Sequence, residues 1–409
     1  MVMPMPTEGS EPLLPRKQRD GGDDGAASSH DHFDGASFSG AVFNLSTTIV
    51  GAGIMALPAT MKVLGLVPGL ILVMLAAVLT DASIELLVRF SRAVGATSYG
   101  EAMGDAFGAF GRGLLQLCVV VNNVGVMVVY MIIIGDVLSG KSSSGGVHHH
   151  GVIEGWFGPN RWNGRFSILV IVTLGVFTPL TCFKRVDSLK YTSALSVALA
   201  VVFVVITAGI TTIKLMRGQI PMPKLFPDVH DWSSTWRLFT AAPVLDHSQI
   251  RPIVRASLLL CLAVYTTTSF FGFLLFGEAT LDDVLANFDS DLGIPYSLVL
   301  DDAVRVSYVL HLMLVFPIVF HALRFNMDGL LFPSARPLSS DNRRFGAITA
   351  ALLTVIFLAA NFVPNIWDAF QDRHGIATKG DKYLAVFMIV LALVANGVAV
   401  YSDACLGTF

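Results

Sequence analysis

Ala41-Val-Phe-Asn-Leu-Ser-Thr-Thr-Ile-Val-Gly-Ala-Gly-Ile-Met-Ala-Leu-Pro58 is the stretch on which the reading of this sequence turns. It lies in an apolar run from Phe38 to Thr60, long enough to cross a bilayer at about 1.5 Å per residue. Gly51, Gly53 and Pro58 weaken the helix in mid-run. In lipid, an unwound turn leaves amides and carbonyls unpaired at a cost of several kcal/mol each, so it is tolerated only where it lines a protein cavity. A broken span therefore points to a site for a small polar solute. Half-helix N-termini suit a carboxylate, and freed carbonyls suit a cation. Close glycine packing between two helices is the competing explanation.

Working outward, eight further apolar runs follow: Gly65 to Glu85, Leu114 to Leu138, Phe166 to Cys182, Ser193 to Ile213, Ala256 to Phe276, Val304 to Leu323, Ala347 to Val363 and Tyr383 to Tyr401. The 409 residues are 54% hydrophobic and only 14% charged, a membrane composition. The formal charge of −3 and the lack of a basic, aromatic-interleaved patch argue against nucleic acid as a partner. The lipid bilayer is the expected surrounding. Residues 1–37, rich in Gly, Asp, Ser and Pro, read as a disordered cytoplasmic tail, and 38–409 as one transmembrane domain. The four cysteines, Cys118, Cys182, Cys261 and Cys405, lie in or beside apolar runs and read as small packing residues. No metalloprotease or hydrolase motif supports an enzyme, and no metal or organic cofactor is expected.

Lys and Arg in short loops set orientation. Arg89, Arg92 and Arg112 after the second run, and Lys184, Arg185 and Lys190 after the fourth, belong in the cytoplasm with the N-terminus. Glu278 to Asp302 carries seven acids and no base, whereas Arg324, Arg336, Arg343 and Arg344 follow the next span, so the acidic loop belongs outside. That requires a further crossing between Ile213 and Ala256. Only Trp236 to Leu245 is available there, about 15 Å of helix. A second crossing is missing near Gln371, ahead of Lys379 and Lys382.

Three motifs carry a resemblance: Phe43-Asn44-Leu45-Ser46 with Gly51-Ala52-Gly53-Ile54, then Gly272-Phe273-Leu274-Leu275-Phe276-Gly277, then Phe316-Pro317 followed by Leu323-Arg324. With these the chain from about Phe38 onward resembles the amino acid/auxin permease family, especially its plant vacuolar-type amino acid transporters and, more distantly, its sodium-coupled neutral amino acid transporters. The resemblance implies an all-α polytopic membrane protein. Its LeuT-like inverted-repeat bundle would have eleven helices, of which this sequence supplies about nine full spans plus a truncated one. Most of helix six and helix ten are short of that pattern. The implied activity is secondary active transport of an amino acid, symport or antiport, at a vacuolar or other endomembrane.

The same resemblance implies that Thr48, Gly51, Ala52 and Gly53 face the substrate's carboxylate and amine, and lets Asn123 on the third span approach it. Asn44 and Ser46 stand nearby, either for cation or proton coupling or for hydrogen bonding between helices. Sodium-dependent members carry hydroxyls on the eighth helix before its proline. Here Met313 and Val315 supply no oxygen, so a proton rather than sodium is the favoured coupling ion. His311 is the titratable group inside that helix, a coupling residue or a hydrogen-bonded packing residue. Glu85 and Arg89, four apart at a helix end, read as a local ion pair, and His148 to His150 as part of a low-complexity link. Loss of the second broken helix would leave half a site, so the alternative is a non-transporting sensor or regulator, or a splice or gene-model product.

Overall fold

The computed structural model describes residues 38–96, 98–142, 148–158, 160–184, 189–220, 223–226, 251–281, 283–289, 292–333 and 335–362. The N-terminal tail, the short crossing at Trp236–Leu245, the region around Gln371, the run Tyr383–Tyr401 and Cys405 lie outside the described residues.

The described chain is helical apart from one two-residue ladder. It runs α1 (Phe38–Ile49), a 3-10 turn (Ala52–Ala56), α2 (Leu57–Leu64), α3 (Leu66–Ala93) and α4 (Tyr99–Ser139). Then come β1 (Lys141–Ser142) antiparallel to β2 (His148–His149), α5 (Val152–Phe157), α6 (Arg165–Val172), a π turn (Thr173–Phe177) and α7 (Thr178–Thr181). The chain closes with α8 (Lys190–Met216), α9 (Arg251–Phe276), α10 (Ser297–Leu331) and α11 (Asn342–Phe362). Six of these helices are long and apolar enough to span a membrane, and α1 with α2 makes a seventh, bent by 49°. The fourth expected span is shorter: Arg165–Thr181, interrupted by the π turn, where Thr178 Oγ1 returns a hydrogen bond to the Thr173 carbonyl at 2.8 Å. This is an α-helical, multi-pass membrane protein.

Lipid contact is written on α3, whose exposed Ile71, Met74, Leu75, Val78 and Leu79 recur at helical spacing along one stripe. Their opposite, Val73, Ile84 and Val88, is buried. At the centre stands α10, packed on α4 and α8, with Val304, Tyr308, Leu312, Val315, Phe316 and Phe320 fully enclosed. Phe316 stacks on Phe177 of the π turn, centroids 3.7 Å apart. Gly272 of α9 has a packing reason: a Cβ there would stand 2.7 Å from Cγ of Pro58, so glycine lets α9 close on α2.

Charges gather at the two ends of the bundle. Arg89 and Glu85 pair at 2.5 Å, as the spacing implied, and Arg255 of α9 adds contacts to Asp81 and Glu85. At the end of α10, the buried Arg324 donates to the carbonyls of Thr181 (2.7 Å) and Phe183 (3.1 Å) and to Thr349 Oγ1 (3.1 Å). His149 and His150 of the histidine link have specific partners. His149 Nδ1 lies 3.2 Å from Asp289 Oδ2, which also accepts the His150 amide at 3.0 Å, and Arg305 of α10 faces Asp289. The acidic loop supplies a specific partner to residues that look featureless in sequence. Among the cysteines, Cys261 is buried and Cys118 half-buried, but Cys182 is exposed at a helix end, which its apolar neighbours did not foretell.

Candidate functional site

The break in the first span begins where α1 stops. Val50 makes the last regular bond, N–H to the Ser46 carbonyl at 2.8 Å. Gly51 is then extended (φ −120°, ψ −156°), with its amide on the Ile49 carbonyl at 3.0 Å, and the chain rewinds as a 3-10 turn. Three consecutive carbonyls, of Ile49, Val50 and Gly51, leave the α-helical ladder. Each meets a side chain from another helix. The Tyr265 hydroxyl of α9 donates to Ile49, Nε2 of His311 on α10 lies 2.8 Å from the Val50 oxygen, and the Tyr308 hydroxyl of α10 donates to Gly51 at 3.0 Å. These three carbonyls are thus met inside the bundle, as a lipid environment favours.

Glycine at 51 is dictated by the fourth helix. A Cβ at that position would sit 2.3 Å from the Tyr130 hydroxyl of α4, too close for any side chain. The extended backbone itself is open to other residues, so contact, not conformation, selects glycine here.

His311 is fully enclosed and links three helices. Its Nδ1 lies 2.8 Å from the Ser196 carbonyl and 2.9 Å from Ser196 Oγ on α8, while that hydroxyl is also 3.2 Å from the His311 carbonyl. Carbonyl oxygens only accept, and a neutral imidazole has one N–H to give. The neutral ring therefore leaves either Val50 or Ser196 facing a lone pair. The imidazolium donates to both and frees the Ser196 hydroxyl for the His311 carbonyl. Against this stands the cost of an enclosed charge. Hydrogen bonding and desolvation oppose each other at this ring.

The other residues expected at the site divide into two faces. Gly51 is buried on the carbonyl side. Thr48 and Gly53 are exposed on the other, Thr48 Oγ1 turned back to the Asn44 carbonyl at 2.9 Å and Gly53 with open space where a Cβ would be. Ala52 is half-buried between them. Lower on α1, Ser46 is enclosed and its carbonyl takes the Cys261 thiol at 3.7 Å, while Asn44 Oδ1 is buried without a hydrogen-bond partner among the described residues. Asn123 is buried on α4, on the face that carries Tyr130 seven residues later, so about 10 Å of helix separates it from the break. Met313 and Val315 are buried and apolar. The structure thus joins His311 to the Val50 carbonyl beside Gly51, leaves Thr48, Ala52 and Gly53 on the open face, and adds Tyr130, Ser196, Tyr265 and Tyr308. Of these four, Tyr308 carried a sequence signal, standing three residues before His311 on one face of an apolar helix.

The family described as transmembrane amino acid transporter protein matches residues 34–246 and 245–371. Amino acid transporter AVT6A of Arabidopsis thaliana is 60% identical, covering 96% of this chain and 92% of its own length. Amino acid transporter AVT6B of the same plant is 58% identical over 91% of this chain and 90% of its own. The sodium-coupled neutral amino acid symporter 2 of Danio rerio is 25% identical over 82% of this chain and 71% of its own. The two pieces of the family match meet at residues 245–246, in the segment where the charge pattern lacked a crossing, and the second ends at residue 371. The alignment with AVT6A spans 432 positions, 23 more than this chain's 409 residues, so that relative carries internal residues with no counterpart here.

Proposed function

The chain belongs to the transmembrane amino acid transporter protein family, and on that premise we propose that it moves an amino acid across a membrane, coupled to protons through His311. The observation that carries the coupling is the occupancy of the unwound carbonyls. In cation-coupled transporters such carbonyls are free to coordinate the ion. Here side-chain groups meet all three, and the one on Val50 is an imidazole, the side chain whose ordinary pKa lies nearest neutrality. The apolar Met313 and Val315 point the same way, since a small hard cation needs oxygen ligands.

Substrate goes to the other face. Thr48, Ala52 and Gly53 border the start of the 3-10 turn that leads into α2, where the first amides of the rewound half-helix carry the positive end of its dipole. A carboxylate there and an amine toward the Thr48 side fit the shared part of every amino acid. We place the helices in a LeuT-like arrangement, with the first span as one of two broken helices and an endomembrane such as the vacuolar membrane as the setting. The bent first span and the resemblance to vacuolar-type members support this placement.

A second reading is a form that binds amino acid without alternating access. It draws support from the family match falling into two pieces at residues 245–246. One experiment separates them: purified full-length chain in proteoliposomes, with labelled L-alanine and L-lysine outside. Transport predicts accumulation driven by a pH gradient and unchanged when sodium is replaced by choline. Saturable binding with no gradient-driven accumulation would reject it in favour of the binding form, and sodium-dependent accumulation would overturn the proton assignment.

A further inference from the structure

Tyr308 is the member of the cluster that touches both halves of the site. Its hydroxyl donates to the Gly51 carbonyl at 3.0 Å. Its ring stacks on His311 three residues along α10, centroids 5.6 Å apart and planes 26° apart, and Phe203 of α8 flanks it at 5.7 Å. All three rings are fully enclosed. Because the peptide unit is planar and trans, fixing the Gly51 carbonyl also fixes the direction of the Ala52 N–H. The Tyr130 hydroxyl stands beside the same unit, 2.3 Å from where a Cβ on Gly51 would lie. The Gly51–Ala52 peptide therefore lies against two phenols, with its oxygen held by Tyr308, and it borders the open face proposed for substrate.

We infer that Tyr308 is a positioning residue for amino acid binding, which sets the Gly51–Ala52 peptide and makes amino acid affinity depend on the proton carried by His311. The inference rests on the transport reading above for its substrate. When His311 releases its proton, one of its two carbonyl contacts loses its donor, and the ring settles toward either Val50 or Ser196. Tyr308 shares a stack with that ring and holds the next carbonyl along the chain. A shift of the imidazole is passed to the Gly51 oxygen and so to the Ala52 amide. The titratable groups facing this cluster are the phenols of Tyr130 from α4 and Tyr265 from α9, with Asp283 of the acidic loop beyond them. At the contacts themselves α1 presents the Val50 and Gly51 carbonyls, and α8 the Ser196 hydroxyl and carbonyl.

Tyr308→Phe keeps the ring and its stack but removes the donor. Tyr265→Phe is the control: it removes a hydroxyl from the same unwound stretch, at Ile49, whose carbonyl keeps the Gly51 amide. The measurement is equilibrium binding of tritiated L-alanine and L-lysine to the purified full-length chain from pH 5 to pH 8, with thermal unfolding of each variant as the check on folding. Expected for Tyr308→Phe is a Kd raised about five- to tenfold at the pH of tightest wild-type binding. Its Kd should also vary with pH much less than that of wild type or Tyr265→Phe. A Kd and pH profile equal to wild type would overturn the inference. So would equal flattening in Tyr265→Phe, which would mark a loosened break and no specific role for Tyr308. Binding is read without flux, so a wild-type chain that binds with this pH dependence but fails to accumulate amino acid rejects transport and leaves the role of Tyr308 standing.

Discussion

Nε2 of His311 and the carbonyl oxygen of Val50 stand 2.8 Å apart, although 261 residues separate them in the chain. The contact fastens the break in the first span to the central helix α10, and through Nδ1 the same ring reaches α8. A single proton therefore decides how many carbonyls the ring donates to, with the protonated ring making one more donated bond than the neutral one.

This sets the expectation for His311→Gln. Glutamine keeps a donor and an acceptor but carries no titratable charge. Accumulation driven by a pH gradient should fall to background, while exchange of labelled for unlabelled amino acid at equal pH persists. Proteoliposome uptake and counterflow on the same preparation measure both. Gradient-driven uptake at the wild-type level would remove His311 from the coupling step.

The contrast between Gly51 and its partners explains what was legible beforehand. The break and the spans rest on local chain chemistry: helix-weakening residues inside apolar runs, read without knowing the fold. The tyrosines that close the break are long-range facts. Tyr265 and Tyr308 lie 216 and 257 residues from the carbonyls they hold, and nothing in their own neighbourhoods names a partner. Asn123 illustrates the same limit, since it shares a face of α4 with Tyr130 and only its height along the helix sets it about 10 Å from the break. His149 was obscured differently, because its partner Asp289 is one of seven acids in a loop whose composition suggested only orientation.

Gly51→Ala tests the packing at the break. The new methyl would meet the Tyr130 hydroxyl at 2.3 Å and its Cζ at 3.2 Å, in a part of the bundle with both residues buried. Overpacking of this kind costs about 1–3 kcal/mol. Thermal unfolding in detergent should show the loss, and Tyr130→Phe in the same chain should recover part of it, because the closest atom is the hydroxyl. A double-mutant cycle gives the coupling directly. Additive losses would mean that some other contact makes position 51 intolerant.

Arg324→Lys should be destabilising despite its retained charge. The guanidinium donates to the carbonyls of Thr181, the last residue of α7, and Phe183 and to Thr349, and its Cζ lies 3.9 Å from the Phe345 ring centroid. A lysine ammonium cannot span both carbonyls and stack at once. Losing one charge-assisted bond and the stacking is worth about 2–3 kcal/mol. A lowered unfolding temperature with unchanged Kd for amino acid is the expected pair of results, because the residue lies at the end of α10 away from Gly51.

The last expectation concerns the path of the chain between α8 and α9. Arg89 and Arg92 at the end of α3, with Arg112 early in α4, and the acidic segment after α9 belong on opposite sides of the membrane by charge. From α3 to α9 the described residues supply α4, the α6–α7 span, α8 and α9, an even number of crossings that would return the chain to the side it left. Opposite sides therefore demand one more crossing within residues 217–250, where only Trp236 to Leu245 is apolar and about half the needed length. Single cysteines at Val94 and at Tyr296, both exposed, in a chain with its four native cysteines replaced, report the answer through a membrane-impermeant maleimide applied to sealed vesicles. Labelling of one and protection of the other means that the charge rule prevails and the short segment crosses, with the bilayer thinned around it. Equal access means that the crossing is lost, that every span from α9 onward is inverted, and that the acidic loop shares the side of Arg89 and Arg92.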